Sequence, residues 1–127
     1  MDYAVAVKNT GTATIWVDTF EIYQGGKPAG KVGVGILPPA SGSTSQSYSK
    51  EPNQQVDLTW RNEKTGEKYS TAVVLKVPKI FWGPLTHHKI IIYLNPDTKM
   101  VKVGYYGYSI KEDKEYYINS KGEVYVP

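Results

Sequence analysis

The chain has 127 residues, a formal net charge of +3 and no cysteine. This length suits one hydrophobic core, and the missing cysteines exclude disulfides, thiolate zinc centres and cysteine nucleophiles. The charge is too small and too dispersed to track a phosphate backbone, although a mildly basic surface suits an acidic protein partner.

Aromatic residues make up 13% of the chain, eleven of them Tyr, beside 12 Gly and 8 Pro, which reads as short strands joined by tight turns. No run approaches the ~18 apolar residues of a membrane span. Met1-Asp2 leads straight into strand-like sequence with no signal peptide. That leaves the compartment open: periplasm or envelope if a leader has been removed, cytoplasm otherwise.

In chain order, Tyr3, Val5 and Val7 alternate with Ala4, Ala6 and Lys8 in a first strand, and Asn9-Thr10-Gly11-Thr12 is turn chemistry. Ala13 to Tyr23 follows as a central strand. Alternation puts Trp16, Phe20 and Ile22 on one face with Asp18 between them, and Ile15, Val17 and Tyr23 on the other. Asp18 then requires a hydrogen-bond partner or an open end of the sheet.

Gln24 to Lys31, with Gly25-Gly26 and Pro28, reads as a flexible loop. Val32-Gly33-Val34-Gly35-Ile36-Leu37 lacks the helix that a phosphate-cradling loop must open, so it reads as an edge strand or bend. The serine-rich stretch from Pro39 to Ser49 is a loop or a polar edge strand over Thr44 to Ser49, anchored by Tyr48. Its hydroxyls have no positioned base nearby.

Glu51-Pro52-Asn53 turns the chain. Val56, Leu58 and Trp60 begin a hairpin that turns at Asn62 to Gly66, with Gly66 left-handed, and returns through Tyr69, Thr71, Val73, Leu75 and Val77. Pro78 to Pro84 is a loop carrying Phe81 and Trp82. A second hairpin runs from Ile90 to Tyr106 around Asn95-Pro96-Asp97-Thr98. A charged turn at Lys111 to Glu115 precedes a small terminal hairpin, Tyr116 to Ile118 with Glu123 to Val126.

The pattern predicts an all-β protein: a two-sheet antiparallel β-sandwich, immunoglobulin-like or transthyretin-like, with a small β-barrel as the alternative. One domain spans 1–127, and 109–127 forms a C-terminal hairpin appendix. The expected core is Trp16, Phe20, Ile22, Val56, Leu58, Trp60, Val73, Leu75, Ile90, Ile92 and Val101.

His87 and His88 are adjacent, so a strand sends them to opposite faces and one metal cannot take both. Glu112, Asp113 and Glu115, interleaved with Lys111 and Lys114, mark a solvated turn rather than an acid–base pair. No metal, cofactor or catalytic residue is expected. The aromatics stand out instead. Phe81, Trp82, Tyr105, Tyr106, Tyr108, Tyr116 and Tyr117 are the expected partner-binding residues, because Tyr and Trp give large, rigid contact area. Against that stands packing of the same rings at the end of the sandwich.

Asn9 to Gly11, Gly25-Gly26, Pro38 to Gly42, Val56-Asp57-Leu58-Thr59-Trp60, Val77-Pro78 and the hairpin from Ile90 to Val103 follow one another in an order that resembles a family of small bacterial envelope proteins, often lipoproteins. The paired cysteines and lipid-attachment cysteine of many members are missing here. Some members look like immunity partners of type VI secretion lipase effectors. The resemblance implies a non-enzymatic immunity-type or envelope adaptor protein that occludes a secreted toxin. A carbohydrate-binding or structural sandwich is the alternative, and an edge strand such as Val32 to Ile36 offers a route to a homodimer.

Overall fold

A computed structural model describes residues 3–31, 33–48 and 54–127. Its regular secondary structure is nearly all strand, in two sheets that face each other across one core and do not close into a barrel.

The first sheet has the order β10-β9-β8-β1-β5. Its strands are β1 (Tyr3–Asn9), β5 (Gly42–Tyr48), β8 (Leu85–Asn95), β9 (Met100–Ser109) and β10 (Lys114–Asn119). The second sheet has the order β3-β2-β6-β7, from β2 (Ile15–Gln24), β3 (Lys27–Lys31), β6 (Gln54–Asn62) and β7 (Lys68–Val74), and β4 (Gly35–Leu37) pairs with the start of β2. A four-residue helix, α1 (Lys79–Trp82), links the sheets. The Glu51-Pro52-Asn53 turn lies outside the described residues.

Both long hairpins form as the alternation requires. Strands β6 and β7 pair through Val56↔Val73 and Trp60↔Tyr69, and β8 and β9 through Ile90↔Tyr105 and Ile92↔Val103. Gly66 takes φ 74°, the left-handed turn residue expected of it. Asn62 holds that turn by accepting from the backbone N–H groups of Lys64 and Thr65 at 2.9 and 3.3 Å.

One pairing in the sandwich is parallel rather than antiparallel. β1 lies between β8 and β5 and runs alongside β8, with Val5 opposite Ile90 and Val7 opposite Ile92. No hairpin joins two strands this far apart in sequence, so no turn dictates their direction. The buried Ile90-Ile91-Ile92 run suits a strand in the middle of its sheet, between β1 and β9.

A β-bulge between Val17 and Thr19 corrects the reading of β2. One extra residue reverses the alternation beyond it. Ile15 and Val17 before the bulge, and Phe20 and Ile22 after it, therefore all enter the core. Trp16 is left half-buried on the outside, where the Arg61 guanidinium lies 5.1 Å from its ring. Asp18 is exposed and accepts from Arg61 Nε at 3.2 Å, the partner it required.

The Gly25-Gly26 stretch is a hairpin turn, not a flexible loop. Both glycines have positive φ, 60° and 78°, which matches the twist of two-residue hairpins, and Lys27 pairs with Gln24 to start β3. Pro28 is tolerated because β3 is an edge strand.

The core holds the expected Phe20, Ile22, Val56, Leu58, Trp60, Leu75, Ile90 and Ile92, with Val73 and Val101 partly buried against it. It also takes Tyr3, Val5, Val7, Ile15, Val17, Leu37, Leu94, Phe81 and Tyr105. Asn9 is fully buried and ties the layers together. Its Nδ2 donates to the carbonyls of Ala13 and Leu37 at 2.8 and 2.9 Å, and its Oδ1 accepts from Gly11 N at 2.9 Å.

At the C-terminus, β10 belongs to the first sheet, antiparallel to β9 with Tyr117 opposite Tyr106. The small terminal hairpin is reduced to one bridge, Ile118↔Val124, with Tyr125 N donating to Tyr117 O at 2.9 Å.

Candidate functional site

Adjacent residues on a strand point to opposite sides, and this rule divides the aromatic cluster in two. Tyr105 points inward and is fully buried, with Ile118 opposite it on β10. Tyr106 and Tyr117, each one residue away, face each other across strands on the outer side, their rings 5.2 Å apart.

Phe81 is also a core residue. The helical turn begins after Pro78, whose carbonyl accepts from Phe81 N at 3.0 Å, and it aims the ring between the sheets. There the ring meets His88 at 4.6 Å and Tyr105 at 5.5 Å. Phe81 and Tyr105 are each 0% exposed and present nothing to a partner, which corrects their assignment as contact residues. The Trp82 side chain lies outside what the structure describes.

Tyr116 alternates to the side opposite Tyr117 and is engaged within the charged turn. Its hydroxyl donates to Glu112, and Lys114 Nζ lies 5.1 Å from its ring. Tyr108 stays on the outer side with Tyr106. It donates to Asp113, and His87 packs edge-on against it at 5.9 Å.

The two histidines form a bulge between Thr86 and Lys89, with His87 at φ 56°. The bulge sends His87 outward, where its Nδ1 lies 2.9 Å from the Thr86 hydroxyl, and His88 inward against Phe81. Burial holds the His88 pKa below the ordinary histidine value, opposed by backbone carbonyls of Phe81 and Leu85. Among the described residues no group of three His, Cys, Asp or Glu side chains is placed to hold a metal.

What the fold assembles is an aromatic outer face on the first sheet, and two of its members were missing from the sequence-based set. Tyr93 stands on the outer side of β8 with Lys8 opposite on β1 and Lys102 opposite on β9. Tyr125 arrives from the C-terminal segment, and its hydroxyl lies 2.7 Å from that of Tyr93. Its ring packs edge-on against Tyr117 at 5.9 Å and Tyr93 at 6.1 Å. Gly104 makes this possible, because a Cβ there would stand 1.8 Å from the Tyr125 hydroxyl.

The phenols of Tyr93, Tyr106 and Tyr125 are held protonated. Burial, then Glu115, pushes Tyr106 up to about 12, and its hydroxyl donates to Glu115 Oε1 at 2.9 Å. Burial raises Tyr93 and Tyr125 as well. At neutral pH these side chains are uncharged donors with flat rings, suited to stacking and hydrogen bonding rather than to abstracting a proton. Lys89 Nζ stands 5.4 Å from the Tyr106 ring and adds positive charge.

No protein-family model, no curated protein and no solved structure matches the chain. Among the described residues no helix is long and apolar enough to cross a membrane.

Proposed function

We propose that this is a non-enzymatic protein-binding module whose contact surface is the outer face of the first sheet. One observation supports the reading above others: Tyr93, Tyr106, Tyr108, Tyr117 and Tyr125 are all half-buried and together on one sheet face. Each offers part of a ring while its neighbours hold it still, so little side-chain entropy remains to be lost on binding. Interfaces draw much of their affinity from such rigid aromatic anchors.

The mechanism is occlusion: a rigid sandwich lays this face over a partner's working surface. The family resemblance supplies the concrete version, an immunity-type or envelope adaptor protein that blocks a toxin. The test is calorimetric binding of the protein encoded beside this chain's gene, comparing the wild type with Tyr106→Ala/Tyr117→Ala. Undiminished binding by the double variant would remove this face from the interface. Sugars also stack on tyrosine, so a glycan array that lights up with the same dependence on Tyr106 and Tyr117 would favour the carbohydrate-binding alternative.

A further inference from the structure

Strand register arranges the outer face of the first sheet into two banks and a floor. One bank is the row Lys8–Tyr93–Lys102, and the other is Lys89–Tyr106–Tyr117. Between them runs a row of small or apolar residues, Ala6 and Ile91, closed off at Gly104 by the Tyr125 hydroxyl above it. Four residues of strand separate Lys89 from Tyr93, so the banks stand about 13 Å apart at a rise of ~3.3 Å per residue. The depression near β1 and β8 holds about 230 Å³, and its lining includes Ala6, Lys8, Lys89, Ile91 and Tyr93, with Pro127 of the C-terminal segment at its side. That is below the ~300–1,000 Å³ usual for a small-molecule site.

The charges on this face are unbalanced. Among the described residues the ion pairs are Arg61–Asp18 and Lys99–Glu67, so Lys8, Lys89 and Lys102 have no carboxylate at salt-bridge distance. The carboxylates beside this face, Glu115 and Asp113, accept from the hydroxyls of Tyr106 and Tyr108.

We infer that this trough seats an extended acidic segment of a protein partner, with carboxylates about four residues apart meeting Lys8 and Lys89 and small apolar residues between them resting on Ala6 and Ile91. This rests on the binding reading above and names the chemistry of the partner. Three lysines set among neutral tyrosines suit a few discrete carboxylates better than a continuous polyanion.

The test uses the full chain and synthetic peptides. One peptide carries two Asp separated by Val-Ala-Val, and its control carries the same residues with the two Asp adjacent. Heparin and inorganic phosphate are run in parallel. The spaced peptide binds, with amide shifts centred on Ala6, Ile91 and Tyr93, and added salt weakens it. Lys8→Glu/Lys89→Glu weakens it about tenfold, as expected for two exposed pairs turned repulsive. Lys8→Gln/Lys89→Gln, which introduces no repulsion, weakens it less and guards against misfolding of the first variant.

Equal binding of the two peptides, or equal affinity of the charge-reversed and wild-type chains, would overturn the inference. Binding of heparin alone would do so too, and would mark the face as a general polyanion surface. If the partner's binding needs Tyr106 and Tyr117 but is untouched by Lys8→Glu/Lys89→Glu, this inference fails while the binding reading stands. If binding ignores the tyrosines, that reading itself fails.

Discussion

Replacing Phe81 by Ala separates a core anchor from a contact residue. The ring is 0% exposed and lies between His88 and Tyr105. Phe→Ala at such a site costs about 3–5 kcal/mol through lost transfer energy and the cavity left behind. The lower end applies here, because a single helical turn can settle inward and fill part of the space. A loss of about 3 kcal/mol is a large share of the ~5–15 kcal/mol that holds a typical domain together. With a urea slope of about 2 kcal/mol/M the unfolding midpoint falls by about 1.5 M. Urea unfolding followed by circular dichroism reads this directly. A second readout comes from His88, whose pKa is depressed mainly by burial. Removing its ring neighbour admits water, and the value climbs back toward the ordinary one in an NMR titration. A midpoint shift under about 0.5 M, with His88 unmoved, would refute the packing argument and return Phe81 to the surface.

Asn9→Ala leaves the carbonyls of Ala13 and Leu37 and the Gly11 N–H without their side-chain partner, and is expected to cost about 3 kcal/mol in the same urea assay. At Gly107 a Cβ would stand 2.7 Å from the buried Leu85 Cβ, so Gly107→Ala strains the packing by about 1–3 kcal/mol. Gly104→Ala meets the far end of Tyr125 and the edge of the Tyr93 ring, so both side chains must shift; it costs about 1–3 kcal/mol and shows as faster amide exchange at Tyr125. Because the native pKa of His88 lies below the unfolded one, the unfolded chain takes up a proton first as pH falls. Stability is therefore full above the unfolded value of ~6.5 and declines as pH drops through it toward the native value, a slope that His88→Leu flattens in melts at several pH values.

Local chemistry was readable from the sequence, and non-local chemistry was not. The β6–β7 and β8–β9 hairpins follow from alternation and turn residues, and Gly66 follows from the turn it closes. Trp16 was misplaced because nothing in its own neighbourhood announces the bulge at Asp18; the extra residue is visible only against β6. The parallel pairing of β1 with β8 joins strands far apart in sequence, Ala4 beside Lys89, where no turn constrains direction. The Gly25-Gly26 hairpin carried a clear signal, since consecutive glycines suit two positive φ values.

The same division holds for the candidate site. Tyr105-Tyr106 and Tyr116-Tyr117 are neighbours on strands, so each pair had to split between faces. Ile118 inside the sandwich decides which member faces out. Tyr93 and Tyr125 join the face only through register and the fold-back of the C-terminal segment, and Phe81 left it because one helical turn rotates the ring inward.

The central claim is that the tyrosine face of the first sheet is the contact surface. Amide chemical-shift mapping of the full chain with its genetically neighbouring partner tests it most directly. The largest changes are expected at Tyr93, Tyr106, Tyr117 and Tyr125 and along β1, β8, β9 and β10. Changes centred on Trp16, Arg61 and Ser70, on the outer side of the second sheet, would contradict it.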